Sequence, residues 1–228
     1  MNALIKVIVT IVISLFLCSC DFNFAVVNGN GNVVNDERVI DQPFNAIEVS
    51  RGIDVELSMD QNPKVLVVAD ENLIDIITTE VKNNTLHITA EQNIGNNKSK
   101  KVRVGIESLS RLKTSSGAQL WSADTLVADA LEVDASSGSE MSITVNVQSL
   151  QLSASSGADL KAEGKTVNLT AKSSSGAHVD SGKLQSQITL AEASSGGDVK
   201  VFKADKITTD ESSGGHVSIE QNTIGAGR

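Results

Sequence analysis

The sequence predicts an all-β protein: a right-handed parallel β-helix preceded by an irregular β N-terminal portion. The main observation is a repeat, because Ser-Ser-Gly occurs six times, at intervals of 21, 19, 19, 20 and 18 residues, starting at Ser115. Apolar and polar residues also alternate with period two from Phe44 onward, which indicates strands. A repeat of about 20 residues without helical patterning is typical of a solenoid in which each rung stacks on its neighbours.

Residues 1–19 are predicted to be a lipoprotein signal peptide. Lys6 precedes an apolar run, Val7 to Leu17, that is interrupted only by Thr10 and Ser14. Because this run is too short to span about 30 Å of hydrocarbon, it fits the apolar core of a signal peptide. The alternative is an N-terminal membrane helix that is never cleaved.

Cys20 is the predicted lipid anchor. The run ends in Leu17-Cys18-Ser19-Cys20, which resembles the bacterial lipobox: an aliphatic residue at −3 and a small residue at −1 before the acylated cysteine. Cys18 fits less well because the bulky Leu17 precedes it, and cleavage before Cys20 removes it. The mature chain then has no disulfide, and its acyl chains would hold it stably on the membrane.

Residues 20–40 are predicted to be the lipidated cysteine and an Asn/Gly-rich tether, and residues 41–110 an N-terminal β region. The tether contains the run Asn28-Gly29-Asn30-Gly31-Asn32, which lacks the third glycine of a dinucleotide-binding fingerprint. In residues 41–110, short alternating runs predict strands, with a hairpin turn at Asn83-Asn84. The segment from Glu71 to Thr79 is predicted to form a short helix.

Residues 111–224 are predicted to be a β-helix of six Ser-Ser-Gly rungs. When the copies are aligned, the third residue after each glycine is apolar: Leu120, Met141, Leu160, Val179, Val199 and Val217. An upstream apolar column begins at Leu112, Val133 and Leu152 and shrinks to Ala171 and Ala191. We expect a right-handed coil because crossovers between parallel strands are right-handed in about 98% of cases. The alternative is a β-sandwich of ordinary meanders.

The Ser-Ser-Gly sites are interpreted as structural turns. Their glycines are Gly117, Gly138, Gly157, Gly176, Gly196 and Gly214. A serine nucleophile needs a base and an oxyanion hole, which are not expected to recur six times, and no Gly-x-Ser-x-Gly occurs in the chain. Glycine instead provides a corner with positive φ, and the serine hydroxyls bond to nearby backbone.

A polar column precedes the apolar one and is the strongest candidate for a metal site. It contains Asp159, His178, Asp198 and His216, and stacked strands would space these side chains by about 4.8 Å. A straight column cannot easily surround a tetrahedral ion, so we expect an exposed polar face that holds no metal. No cofactor is expected.

Composition argues against two classes of partner. The chain has five Phe, one Trp and no Tyr, so few rings are available to stack on sugars or unpaired bases. Its formal net charge of −9 would repel a phosphate backbone, and nucleic-acid binding is therefore not expected. Carboxylates such as Asp134 are scattered around turns, and no compact acid/base pair of a glycosidase is recognisable.

Several segments resemble one protein family. They are residues 27–33 (Val-Asn-Gly-Asn-Gly-Asn-Val), 44–49 (Phe-Asn-Ala-Ile-Glu-Val), 52–57 (Gly-Ile-Asp-Val-Glu-Leu) and 67–73 (Val-Val-Ala-Asp-Glu-Asn-Leu), followed by the Ser-Gly repeats. Together they resemble the DUF2807 family, envelope proteins common in Bacteroidetes that are described as auto-transporter adhesin heads. The resemblance covers about residues 28–224. It implies a pectin-lyase-like helical fold without catalytic residues and an adhesive or surface role.

The predicted function is that of a non-catalytic cell-envelope lipoprotein, an adhesin or a surface-display and binding module. It would be attached by its lipid to the outer membrane, facing the periplasm or the cell surface, and would bind an extended polysaccharide or protein. One alternative is a polysaccharide-active enzyme on a β-helix scaffold. Another is a periplasmic scaffold or sensor that partners an envelope protein. The oligomeric state does not follow from the sequence.

Overall fold

A computed structural model describes residues 26–221 and confirms the parallel β-helix, a solenoid of about six turns. The N-terminal strands are β1 (Val26–Val27), β2 (Val33–Arg38), β3 (Ala46–Val49), β4 (Asp54–Met59), β5 (Lys64–Asp70), β6 (Ile77–Lys82), β7 (Thr85–Ala90), β8 (Asn93–Ile94) and β9 (Lys100–Ile106). The remaining strands are β10 (Arg111–Thr114), β11 (Gln119–Ala135), β12 (Glu140–Ala154), β13 (Asp159–Ser173), β14 (His178–Gln185), β15 (Ile188–Ala193), β16 (Asp198–Phe202), β17 (Lys206–Glu211) and β18 (His216–Glu220).

The strands form two parallel stacks joined by the Ser-Ser-Gly turns. The pre-turn stack ends at the turns and runs through β7, β3, β10, the C-terminal parts of β11, β12 and β13, then β15 and β17. The post-turn stack begins at the turns and runs through β9, β4, the N-terminal parts of β11, β12 and β13, then β14, β16 and β18. Each long strand therefore leaves one turn and arrives at the next.

The solenoid begins earlier in the chain than predicted. Strands β3 and β4 pair in parallel with β10 and β11, and Ser50-Arg51-Gly52 lies between them as a seventh turn. The order in space differs from the order in the chain, because β3 lies between β7 and β10. Residues 46–59 and 85–106 are thus coils of the solenoid, and the N-terminal portion is only partly irregular.

Antiparallel strands cover the N-terminal end of the solenoid. Strand β5 pairs antiparallel with both β9 and β2, and β6 pairs antiparallel with β7. The prediction of a tether over residues 20–40 is therefore wrong for residues 26–38, which form β1 and β2. The predicted helix from Glu71 to Thr79 is also wrong beyond one 3₁₀ turn, Glu71–Leu73, because β6 begins at Ile77 and continues the cap.

Asp70 anchors the Asn/Gly run to this cap. Its side chain is fully buried and accepts hydrogen bonds from the backbone N–H groups of Gly31 (2.9 Å), Ser99 (3.0 Å) and Lys98 (3.2 Å). Burial raises the pKa of Asp70, but these hydrogen bonds outweigh it and hold the pKa below its ordinary value. A buried carboxylate with several N–H donors, rather than apolar contact, thus fixes the entry of the chain into the fold.

Bulges account for two of the irregular repeat intervals. Trp121 pairs with Ser142, whereas Thr125 pairs with Thr144, so residues 122–124 contain two residues that the next rung lacks. A second shift, between Lys161 and Glu163 on β13, accommodates one extra residue on β14. Stacking is thereby restored after each bulge, which lets intervals of 19, 20 and 21 residues coexist in one solenoid.

The inward columns form one continuous apolar core. Leu152 pairs with Val133 below and Ala171 above, as the repeat alignment predicted, and all three are fully buried. Truncating Leu152 leaves a cavity that neighbouring rungs cannot close without breaking their own pairing.

We expect Leu152→Ala to lower the free energy of unfolding by about 2–5 kcal/mol. Urea denaturation followed by circular dichroism measures the change. The matched control is Gln151→Ala, one residue earlier and exposed, which is expected to stay within about 0.5 kcal/mol of the parent. Equal effects of the two substitutions would contradict the inward orientation of Leu152.

Candidate binding surface

The seven turns share one backbone geometry. In each, the second residue has φ between 49° and 55° and the glycine has φ between 66° and 77°. The residue after the glycine donates its N–H to the carbonyl oxygen of the first serine, as Ala118 does to Ser115 at 3.2 Å. Two successive positive φ values closed by this bond define a type I′ turn. The six predicted glycines all occupy its second central position.

The turns bond to one another along the solenoid. The glycine N–H of one turn donates to the carbonyl oxygen of the second residue in the next turn, at 3.0–3.2 Å for Gly52, Gly117, Gly138, Gly157 and Gly176. A side chain on the glycines at 117, 138, 157, 176, 196 or 214 would meet no atom within 4 Å. Glycine is therefore required by φ rather than by space.

Ser50-Arg51-Gly52 was missed in the sequence because the second serine of the motif is replaced by arginine. Its surroundings fit the repeat, since Ile53 is buried and is followed by the polar Asp54 and the apolar Val55. A search for Ser-x-Gly followed by this alternation would have found the turn.

The predicted polar column is one straight row on the outer face of the post-turn stack. Strand pairing places these residues in register: Asp54, Gln119, Glu140, Asp159, His178, Asp198 and His216. We call them the outer row. All except the half-buried Asp54 are exposed, which confirms the predicted exposed column. His178 Nδ1 lies 3.1 Å from Asp198 Oδ2, and His216 Nδ1 lies 3.4 Å from Glu211 Oε1.

The double substitution His178→Ala/His216→Ala is expected to change stability by no more than about 0.5 kcal/mol per site, because exposed ion pairs contribute little. Thermal unfolding with and without a chelator measures it. Adjacent Val179 is buried, so Val179→Ala serves as a control that should lower the melting temperature clearly. A large loss on chelation, or in the double variant, would restore a metal site.

A second row runs two residues further along the same strands. It contains Glu56, Trp121, Ser142, Lys161, Asp180, Lys200 and Ser218, and we call it the tryptophan row. Its upper part is bridged by ion pairs, such as Lys161 to Glu163 at 2.8 Å. The two rows form a long polar face with charges of both signs.

The lower end of this face departs most from the repeat. The half-buried Trp121 lies beside Glu56, and the Lys101 Nζ is 4.7 Å from its ring centroid. Glu56 accepts charge contacts from Lys101 (3.4 Å) and Arg103 (3.3 Å). The bulge at residues 122–124 follows immediately, so the only tryptophan in the sequence stands next to the largest irregularity of the stack.

Asp54 is the carboxyl group on this face whose environment opposes ionisation. Burial raises its pKa, while the nearby charges of Lys100 and Lys101 act in the opposite direction without cancelling the effect. By contrast, the ion pair between Lys161 and Glu163 raises the pKa of the lysine and lowers that of the glutamate.

A shallow groove follows the other side of the turns, with a volume of about 420 Å³. It is lined by first serines of four turns, Ser155, Ser174, Ser194 and Ser212, together with Lys172, Glu192 and Asp210. The lining is polar and Lys172 is paired with Glu192 at 2.6 Å. This groove can offer hydroxyl and charged groups to a ligand but little apolar contact.

Two further observations concern ions and membranes. Within residues 26–221, no three His, Cys, Asp or Glu side chains come close enough together to hold a metal ion. No helix in the same part of the chain has the length and hydropathy needed to cross a bilayer. The predicted lipidation site, Cys20, lies outside the described residues.

Comparison with solved structures identifies the fold. A "putative adhesin" from Bacteroides fragilis superimposes with a TM-score of 0.77 at 14% identity, covering 85% of this chain and 100% of that chain. A "putative adhesin" from Parabacteroides merdae gives 0.65 at 14% identity, with 86% and 98% covered. A "putative lipid binding protein" from Parabacteroides distasonis gives 0.66 at 17% identity, with 86% and 100% covered.

No curated protein matches the chain significantly. The family model described as "Putative auto-transporter adhesin, head GIN domain" matches residues 43–222, which include all seven turns and both rows of the outer face. The resemblance noted in the sequence is thereby confirmed, and the chain belongs to the DUF2807 family.

Proposed function

We propose that this chain is a non-catalytic, lipid-anchored protein of the cell envelope whose outer face binds an extended polysaccharide or protein. The description of the family and of the structural relatives as adhesins supports a role at the envelope. The anchor would be Cys20, and the outer membrane its site, with the solenoid facing the periplasm or the cell surface.

The observation that carries this proposal is the continuity of the outer face. The outer row and the tryptophan row extend over seven strands, from β4 to β18, at about 4.8 Å per step. An extended partner can contact many such steps at once, and weak polar contacts then add up along its length. A small ligand would gain nothing from this repetition, because it contacts one or two rungs.

The electrostatics of the face also favour binding over catalysis. General acid/base catalysis needs groups whose pKa values move towards the working pH. The ion pair of Lys161 and Glu163 moves both pKa values away from neutrality and so stabilises fixed charges. Fixed charges of both signs are suited to recognising a polar partner.

Trp121 provides a direct test of binding. It is the single tryptophan in a chain without tyrosine, so the intrinsic fluorescence above 295 nm excitation reports on this one place. We expect an extended polar polysaccharide or envelope protein to shift this emission on titration into the full chain. Asp159→Ala/Asp198→Ala, in the outer row, should weaken binding, whereas Asp210→Ala, on the other side of the turns, should not. The absence of any shift across a broad panel would argue against this face.

The enzyme alternative makes a different prediction on the same molecule. A polysaccharide-active enzyme would centre on Asp54 and Glu56, which lie two residues apart on one face in unlike environments. Turnover of any glycan that is lost in both Asp54→Asn and Glu56→Gln would establish it. We expect no turnover. Protease treatment of intact cells separates the remaining alternatives, because a surface adhesin is cleaved and a periplasmic scaffold or sensor is protected.

Cys20→Ser is expected to abolish acylation and leave an unprocessed or unanchored chain, because no other cysteine remains after cleavage at the predicted site. Metabolic labelling with a fatty acid, followed by membrane fractionation, measures this. Cys18→Ser is the matched control and should still be labelled. Continued labelling of Cys20→Ser would contradict the assignment of the anchor.

A further inference from the structure

The two ends of the solenoid are finished differently. At the N-terminal end, antiparallel strands cover the stacks, and inward residues such as Val67 and Ile77 are fully buried. At the other end, β17 and β18 are the last strands of the two stacks within residues 26–221. Ile219 is 45% exposed there, although Val201, its partner one coil earlier, is fully buried. Uncovered edges of this kind readily pair with other strands.

The backbone of β18 shows which groups are free to pair. His216 donates its N–H to Gly197 on the β16 side, and Glu220 accepts from Lys203 on that same side. Alternate residues of a strand direct their N–H and C=O groups to opposite sides. The backbone groups of Val217 and Ile219 therefore face the free edge, where the Glu211 carboxylate accepts the Val217 N–H at 2.6 Å.

The sequence of β18, His-Val-Ser-Ile-Glu, is complementary to itself when it is reversed. In an antiparallel pair centred on Ser218, Val217 lies opposite Ile219 of a second copy, and both direct their backbone groups across the edge. His216 then lies opposite Glu220 of the second copy, so a donor or cation meets a carboxylate. The apolar residues stay on the inner face and the polar ones on the outer face, as in the parent stack.

We propose that two copies of this chain join end to end through β18, as an antiparallel pair about Ser218. Pairing would extend the post-turn stack into the second copy and cover Ile219. The Glu211 side chain would release the Val217 N–H to a carbonyl oxygen of the partner strand. Because the same surface is used by both copies, the assembly closes as a dimer and does not continue into a fibre.

A cysteine at the dyad tests this geometry. Ser218 would face itself in a non-hydrogen-bonded pair with Cα atoms about 4.5 Å apart, within the range that a disulfide spans. We expect Ser218→Cys, in the otherwise unchanged full chain in mild detergent, to form a disulfide-linked dimer on mild oxidation. Ser142→Cys lies in the same row but in the middle of the stack, and should give no more dimer than the parent. Equal cross-linking of the two variants, or none in Ser218→Cys, would overturn the proposal.

Sedimentation velocity provides the second measurement. The parent is expected to sediment with twice the monomer mass, and Ile219→Lys to return to the monomer, because it places a charge on the inner face of the pair. Deletion of residues 222–228 distinguishes another occupant of the edge. If only the deletion variant dimerises, those residues cover β18 and the proposal is wrong. None of these outcomes depends on ligand binding by the outer face.

Discussion

Gly164→Ala is expected to be among the most destabilising single substitutions in the solenoid. Gly164 lies on β13 with φ of 114°, and a Cβ atom there would lie 2.1 Å from the carbonyl oxygen of Val145 on β12. The unfavourable backbone conformation costs about 1–3 kcal/mol. Forcing the two strands apart adds about 1–3 kcal/mol, since the obstructing atom belongs to the backbone and cannot rotate away.

Gly157→Ala is the matched control for this prediction. Gly157 also has positive φ, 69°, but a Cβ atom there would meet nothing within 4 Å. Only the left-handed conformation is then penalised, by about 1–2 kcal/mol. Chemical denaturation of the two variants beside the parent separates backbone strain from steric obstruction. If both variants lose the same stability, the close approach of β12 to β13 at this position is refuted.

Replacing Asp70 should have an effect of similar or larger size. Asp70→Ala leaves the N–H groups of Gly31, Lys98 and Ser99 without their acceptor inside the cap. Each unpaired buried donor costs about 1–3 kcal/mol, so the free energy of unfolding should fall by at least about 3 kcal/mol. Asp70→Asn should also destabilise, because its NH₂ group would face N–H donors. Asp75→Asn, on an exposed side chain of the same segment, is the control.

The loss caused by Asp70→Ala should depend on pH in one direction. The folded-state pKa of Asp70 is lowered below its ordinary value of 3.8. Its stabilising contribution is therefore complete above about pH 4 and is lost as the pH falls through the folded-state pKa. The difference in stability between parent and variant should be constant between pH 5 and pH 8 and should shrink below about pH 4. A difference that grows on acidification would show that Asp70 is protonated in the fold.

The repeat made much of the solenoid predictable from sequence. Parallel stacking places residues one rung apart in contact, so Leu152 must resemble Val133, and Asp159 must occupy the same kind of position as His178. A contact at a constant sequence separation leaves a period that can be read directly. The six glycines, the polar column and the apolar columns were found for this reason.

Contacts without a constant separation were decided only in three dimensions. The pairing of β3 with both β7 and β10 joins segments about 40 and 65 residues apart, and no period announces it. The turn at Ser50-Arg51-Gly52 was hidden for the same reason, since its neighbour in space, Ser115-Ser116-Gly117, is far along the chain.

The chemistry of single residues also needed the tertiary structure. Nothing in the local sequence distinguishes Asp70 from the exposed Asp75, because burial and three N–H donors come from loops distant in sequence. Gly164 resembles an ordinary interruption of a strand until Val145 is placed against it. The sequence by itself thus determined the repeating unit and its inward and outward faces. The order of the first coils, the cap that buries Asp70 and the exposed edge at β18 depend on non-local packing, which only the folded chain defines.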